Sequence, residues 1–230
     1  MAAGRKVFAR FGSKAIALDL AERAAVLALF LWFAKRMLPQ FQLLLFLQME
    51  HPELILQVVT TNIEALLLVA SELLGVYLIL TRRSAASLSR RPFDWAISFI
   101  GVSASFFVVP AAPSNLISPY VASGVMVAGM LLQISAKAAL WRSFGVVPAN
   151  RGVKTRGPYR IVRHPMYAGY TLTHIGFLLG FPLLQNALLY ATVLLIEIVR
   201  LMREEAILRQ DPAYREYAAR VRYRLVPGLF

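Results

Sequence analysis

The sequence predicts an all-α, polytopic transmembrane helix bundle. Three observations carry this. Of the 230 residues, 58% are hydrophobic and 16% charged, against roughly 45–50% and about 25% in soluble domains. The mean hydropathy is +0.60. The apolar residues also run in long blocks, as membrane spans do.

About six blocks approach the length needed to cross a bilayer, roughly 20 residues each. They are Ala15–Ala34, Val58–Leu80, Trp95–Val109, Ser118–Leu140, Met166–Gly180 and Leu183–Leu201. In the first, Asp19 and Arg23 are spaced to pair along a helix, and Lys35, Arg36 and Pro39 are expected to end it. The stretch 40–57, with the apolar run Phe41–Met49 before Glu50, His51 and Pro52, reads as an interfacial or re-entrant piece. Arg82 and Arg83 stop the second block; Pro92 opens the third, and Pro110 and Pro113 close it. The fifth covers only about 22 Å at 1.5 Å per residue. It therefore belongs in thinned bilayer, or in a tight hairpin with the sixth through Phe181–Pro182. The chain reads as one integral membrane domain, with N-terminal spans over about 1–117 and a catalytic core over about 118–230.

Lys and Arg number 25 against 12 Asp and Glu, a net charge of +13. Their distribution sets the expected topology. Arg5, Lys6, Arg10 and Lys14 precede the first block, Arg82, Arg83, Arg90 and Arg91 follow the second, and six basic residues from Arg142 to Arg163 follow the fourth. Arg203 and five further arginines from Arg209 to Arg224 lie in the tail, whereas 111–117 and 181–182 carry none. Only Lys35 and Arg36 dissent. The asymmetry predicts six spans with both termini cytosolic, and contact with anionic lipid headgroups rather than nucleic acid. The basic start followed by Asp19, Glu22 and Arg23 reads as a retained anchor, not a cleaved signal. Richness in Ala, Leu and Arg points to a bacterial inner membrane. With no cysteine, disulfides, Cys-ligated zinc and thiolate catalysis are excluded, and no metal site is expected. No Gly-rich turn follows a strand, so the dinucleotide-binding fingerprint is missing.

The chemistry-bearing segment begins after the fourth block. It reads Gly152-Val-Lys-Thr-Arg-Gly157-Pro158-Tyr159-Arg160-Ile-Val-Arg163-His164-Pro165-Met166-Tyr167-Ala168-Gly169. Pro165 suits a first helical position, which places His164 at the entrance of a membrane helix beside free N–H groups. Tyr167 sits one turn deeper. Further on come Arg200-Leu-Met-Arg203-Glu204-Glu205-Ala-Ile-Leu208 and an aromatic, basic tail with Tyr214, Tyr217 and Tyr223. Arg200 and Glu204 share a helix face, while Glu205 turns about 100° away. Two adjacent acids here could bind ribose hydroxyls, an ammonium or a sulfonium. Taken singly, these features also fit an ordinary helix start with an interfacial tyrosine, and a solvated helix with weak surface pairs. Glu197 and His174, inside the last two blocks, and Glu64 and Glu72 in the second are either functional or satisfied within the bundle. Gly124 and Gly129, with Ala128 and Ser135, read as helix-packing residues.

The combination G-P-Y-x-x-x-R-H-P-x-Y-x-G, a short hairpin, then R-x-x-x-E-E-x-x-L and a Tyr-rich tail resembles the isoprenylcysteine carboxyl methyltransferase family. That wider group includes membrane phospholipid N-methyltransferases and small-thiol methyltransferases. The resemblance covers about residues 118–230. It implies a membrane methyltransferase using S-adenosylmethionine at the cytosolic mouth of the bundle, under the C-terminal tail. Tyr159, His164, Pro165, Tyr167, Glu204 and Glu205 would bind the cofactor, with Arg200 and Glu205 as catalytic residues. The acceptor would be a lipophilic molecule reached from the membrane, an isoprenylcysteine-type carboxylate or a lipid headgroup. A carboxylate needs only orientation by Arg200, whereas an amine needs a base, for which Glu205, Glu197 and His174 are candidates. The alternatives are a small thiol or amine acceptor, or a non-catalytic scaffold or transporter. The paired, broken-helix halves of a transporter are not seen.

Overall fold

The computed structural model of the chain describes residues 13–50, 62–109 and 117–230. Seven α-helices account for most of them. They are α1 (Ser13–Glu50), α2 (Ile63–Thr81), α3 (Pro92–Ser103), α4 (Pro119–Leu140), α5 (Pro165–Gly180), α6 (Leu184–Leu208) and α7 (Pro212–Arg220). Three helical segments among the described residues are long and apolar enough to cross a membrane: Ile63–Thr81, Pro119–Ser143 and Leu184–Leu208. The all-α membrane bundle expected from composition is therefore present. Arg5, Lys6, Arg10, residues 51–61 and residues 110–116, on which parts of the expected boundaries fall, lie outside the described residues.

Two expected boundaries are corrected. Helix α1 does not stop at Lys35, Arg36 or Pro39 but runs through them to Glu50, so the stretch that read as re-entrant begins as its continuation. A proline removes only its own N–H bond and crowds one carbonyl, and the Gln- and Leu-rich residues that follow are good helix formers. The expected third span is a 12-residue helix, α3, followed by a 3₁₀ turn at Ala104–Phe107. The extended residues after the turn are held by Asn186 of α6. Asn186 Nδ2 donates to Val109 O, and Val109 N donates to Asn186 Oδ1, both at 2.9 Å. An all-helical reading also missed one short antiparallel bridge, β1 (Ser87–Leu88) with β2 (Ala149–Asn150), which ties the α2–α3 loop to the α4–α5 loop.

Helix α5 packs most extensively on α4 rather than on its hairpin partner α6. The seam is made of glycines. A Cβ at Gly129 would lie 2.5 Å from Thr173 N, one at Gly169 2.7 Å from Gln133 N, and one at Gly176 2.5 Å from Met126 N. The backbones thus approach to a distance that no side chain permits. Gly129 serves close packing as expected, but Gly124 does not, since its Cβ would meet nothing within 4 Å.

At the end of the bundle that carries the α4–α5 loop, charges are buried as a connected knot. Arg23 pairs with Asp19 at 2.9 Å, the i,i+4 pair foreseen above, and donates to Ile79 O and Leu80 O at 2.9 and 2.6 Å, capping α2. Glu22 is fully buried and lies 2.8 Å from Arg82 and 2.9 Å from Arg151. Its Oε1 also accepts from the N–H groups of Val146 and Val147 at 2.8 and 3.0 Å. One carboxylate thereby fastens α1, the end of α2 and the loop after α4. On the other side, Asp94 at the start of α3 pairs with Arg203 of α6 at 2.7 Å and accepts from Ser89 Oγ. Deeper in the bundle, Lys137 of α4 donates to Ser71 Oγ at 2.8 Å and Ser71 O at 3.1 Å and approaches Glu72 at 3.4 Å, locking α4 to α2.

Removing one partner of a buried pair costs about 3–5 kcal/mol, because the other charge stays buried. Glu22→Ala should lower the unfolding free energy in detergent by an amount of that order, read as a fall in the unfolding midpoint, and Arg151→Ala should do the same. A midpoint unchanged by both would deny the knot its role. Burial tends to raise the Asp94 carboxyl, but hydrogen bonds from Arg203 and Ser89 outweigh it and hold it below the usual aspartate value. As pH falls, the unfolded chain takes up this proton first. The contribution of Asp94 is therefore complete above about pH 4 and is lost as pH drops through its folded value. Thermal melts from pH 7 to 3 should show Asp94→Asn less stable than the parent at neutral pH, with the gap narrowing as acid is added.

Candidate functional site

The loop between α4 and α5 uses two left-handed glycines, Gly152 (φ +98°) and Gly157 (φ +61°), a conformation that costs glycine little and other residues more. These turns lead through a 3₁₀ segment, Gly157–Arg160, to His164. His164 caps α5 and Pro165 takes its first position, as the sequence implied. The tail returns to this point. Arg163 N donates to Tyr223 O and His164 N to Arg224 O, each at 2.9 Å, and Tyr217 OH donates to Tyr159 O at 2.7 Å.

The common anchor is Glu205. Its Oε1 lies 2.7 Å from Arg163 Nε, 3.3 Å from His164 Nε2 and 3.3 Å from Tyr214 OH. Its Oε2 lies 3.2 Å from Arg209 and 3.3 Å from Arg224. Both oxygens are thus occupied by protein donors. Arg163 further donates to the carbonyls of Val221 and Arg222 at 3.1 and 3.0 Å, holding the segment after α7.

A cleft opens beside this anchor. Tyr159, His164, Tyr167 and Glu204 form part of its wall, with Tyr214 and Tyr217 on the tail side and the strip Gly145–Val147 opposite. Tyr167 OH donates to Glu204 Oε2 at 3.4 Å. Burial raises the phenols of Tyr159, Tyr214 and Tyr217, with the nearby Glu204 charge adding to Tyr159 and the Glu205 charge to the other two. These tyrosines are neutral hydrogen-bond donors at physiological pH.

Four of the six expected cofactor residues therefore line one cleft. Pro165 and Glu205 do not: Pro165 is buried at the helix start, and Glu205 lies behind the wall as the tie just described. Arg200 is also absent from this wall. It lines a second, larger space of about 370 Å³ inside the bundle. This cavity is bounded by Phe30 and Phe33 of α1, Met130 and Gln133 of α4, Tyr170 and His174 of α5, and Glu197 of α6. It shares Gly145, Val146 and Met166 with the cleft, so the two spaces lie back to back. Arg200 and Glu204, one helical turn apart on one face, serve neighbouring spaces. The Tyr167 ring stands between, 5.5 Å beneath the Arg200 guanidinium.

Two polar groups in the cavity are unusual. Glu197 is 4% exposed, and its Oε2 has no hydrogen-bond partner among the described residues; Arg200 is 5% exposed, and its Nε has none. By contrast, Glu64 accepts from Ser123, Glu72 faces Lys137, and His174 stacks on Tyr190 with centroids 4.2 Å apart. Two contributors escaped the sequence reading. Arg163 stood in the R-H-P motif but was given no role in the site, although its place directly before His-Pro is a usable signal. The strip Gly145–Val147 carries no polar side chain to announce it.

Residues 118–214 match the phospholipid methyltransferase (PEMT) family model. That segment is therefore similar to the integral-membrane methyltransferase group that includes the phospholipid and isoprenylcysteine enzymes. The matched segment contains the His-Pro entrance, Arg200 and the Glu204–Glu205 pair, and ends at the first tyrosine of the tail. No curated protein matches the chain.

Breaking the tie should loosen the tail. Glu205→Ala should speed tryptic cleavage after Arg220 and Arg222 by at least about tenfold, since a charge-assisted hydrogen bond is worth roughly 1.5–3 kcal/mol. Cleavage at the parental rate would show that the tail is held by other contacts.

Proposed function

We propose that the protein is an S-adenosylmethionine-dependent methyltransferase that binds its methyl donor in the cleft and a lipophilic acceptor in the adjoining cavity. The observation that carries the reading is the back-to-back arrangement. A cleft with hydrogen-bonding residues in its wall meets a largely apolar cavity inside the bundle across Gly145, Val146 and Met166. The cleft residues suit the donor chemically. Glu204, with one oxygen engaged by Tyr167, can accept from ribose hydroxyls or an ammonium, and the neutral phenol of Tyr159 can donate to a carboxylate, while the hydroxyls of Tyr214 and Tyr217 are held by Glu205 and Tyr159 O. When bound, the cofactor supplies an activated methyl group for in-line displacement.

The chain's own part is positioning and exclusion of water. Tyr214, Tyr217 and the segment tied to Glu205 cover the cleft. Arg200, held over Tyr167, faces the cavity and can orient an anionic acceptor with a charge-assisted hydrogen bond. An amine acceptor must shed a proton, and Glu197 is the group placed to take it, one turn from Arg200 with an unengaged oxygen. Glu205, saturated by five donors, is assigned to positioning, and stacked His174 is assigned to the cavity wall. A cavity of about 370 Å³ lined mainly by apolar side chains supports a lipophilic acceptor over a small thiol. The basic loops support a cytosolic orientation for the site face, against anionic headgroups. In this reading α1, α3 and α5 also traverse the bilayer, giving six crossings.

Purified protein in nanodiscs should bind S-adenosylmethionine saturably, and Glu204→Gln and Tyr167→Phe should each weaken that binding, by about tenfold for the charge. Absence of saturable binding across lipid compositions would overturn the enzyme reading. Labelled methyl donor offered with lipid extracts and with prenylated thiol acids then separates the acceptor classes.

A further inference from the structure

We infer that Gly101 of α3, outside the family-matched segment, is the positioning residue that seats the Arg200 guanidinium at the junction of the two spaces. Helix α3 runs antiparallel to α6, because Asp94 meets Arg203 near one end and Gly101 meets Ile196 and Arg200 nearer the other. The Asp94–Arg203 pair sets this register. Glycine is a poor helix former, so one inside a 12-residue helix calls for a reason. The reason is contact. A Cβ at Gly101 would lie 2.8 Å from Arg200 Nη1 and 3.3 Å from Arg200 Cδ, but an ordinary 3.4 Å from Ile196 Cγ2.

Gly101 differs from the glycines of the α4–α5 seam. At Gly129, Gly169 and Gly176 an added methyl strikes backbone; at Gly101 the closest atom is the tip of a flexible side chain. Substitution there displaces the guanidinium and spares the helices. The rest of the seat comes from elsewhere. Arg200 Nη2 donates to Val146 O at 3.3 Å, and Val146 is itself held through its N–H by Glu22 of α1. The Tyr167 ring lies beneath. The N-terminal helices therefore do more than enclose the domain: they place its buried cation.

The inference rests on the reading of Arg200 as the acceptor-orienting group, and the experiment separates the two. In ¹⁵N-arginine spectra of the full chain in detergent, the buried Arg200 Nε–H resonance is assigned by its loss in Arg200→Lys. Gly101→Ala should shift or broaden that resonance, and Gly124→Ala, in open space, should not. With labelled S-adenosylmethionine and a lipid extract, Gly101→Ala should lower kcat at least about tenfold, as expected for a misplaced positioning group. Affinity for S-adenosylmethionine should stay within about twofold, because Arg200 is absent from the cleft wall. Gly101→Ala combined with Arg200→Lys should be no worse than Arg200→Lys alone. An unmoved resonance in Gly101→Ala, or losses that multiply in the double variant, would overturn the inference. A parent that binds donor but methylates nothing would instead refute the proposed function, and the resonance would still decide the seat.

Discussion

Among the described residues, the carboxylate of Glu205 is the one group that the segment before α5, the end of α6, α7 and the final segment all meet. It sits near the exit of α6, and its five donors come from the residues before α5, from Arg209 just past the end of α6, from α7 and from the final segment. Three of these are arginines, so the ion is compensated in excess and both oxygens are engaged. A buried carboxylate tolerates desolvation only under such conditions. The consequence is geometric. His164 is fixed at the helix entrance, and the tail is drawn over the cleft, so that the tyrosines of α7 become part of a wall.

Elsewhere, too, the bundle disposes of its buried charges in closed groups. Glu22 sits between Arg82 and Arg151, Asp94 meets Arg203, and Lys137 is enclosed by Ser71 and Glu72. Against this pattern Glu197 stands out as the buried carboxylate whose Oε2 has no hydrogen-bond partner among the described residues; Arg200 beside it keeps Nε unpartnered, as Arg82 and Arg151 also keep buried nitrogens. A low-dielectric interior makes such groups costly unless something else meets them. The position of Glu197 and Arg200 at the polar end of an apolar cavity, one wall away from the cleft, gives that cost a functional meaning.

Much of the site was legible along the chain. Pro165 announced a helix start, and Tyr159, His164, Tyr167 and Glu204 were named from one motif and line one cleft. The different fates of Glu204 and Glu205 were visible only as a 100° turn. The neighbours that saturate Glu205 come from segments with no fixed spacing to it. Helix boundaries were less legible. Lys35, Arg36 and Pro39 look like a stop, yet the flanking residues carry α1 through, while α3 gives way to a 3₁₀ turn after Ser103 and the chain beyond it is held at Val109 by Asn186, 77 residues away.

Sequence alone determined the membrane class, the helical content and the family-like constellation, because hydropathy, helix-start chemistry and short motifs are local properties. Tertiary structure decided which acid is a tie and which faces the cleft, that Arg200 belongs to a second space, and that a glycine in α3 makes room for it. These depend on which helices become neighbours and at what register. That is settled by the glycine seam of α4 and α5 and by ion pairs spanning more than a hundred residues, such as Asp94–Arg203 and Glu22–Arg151.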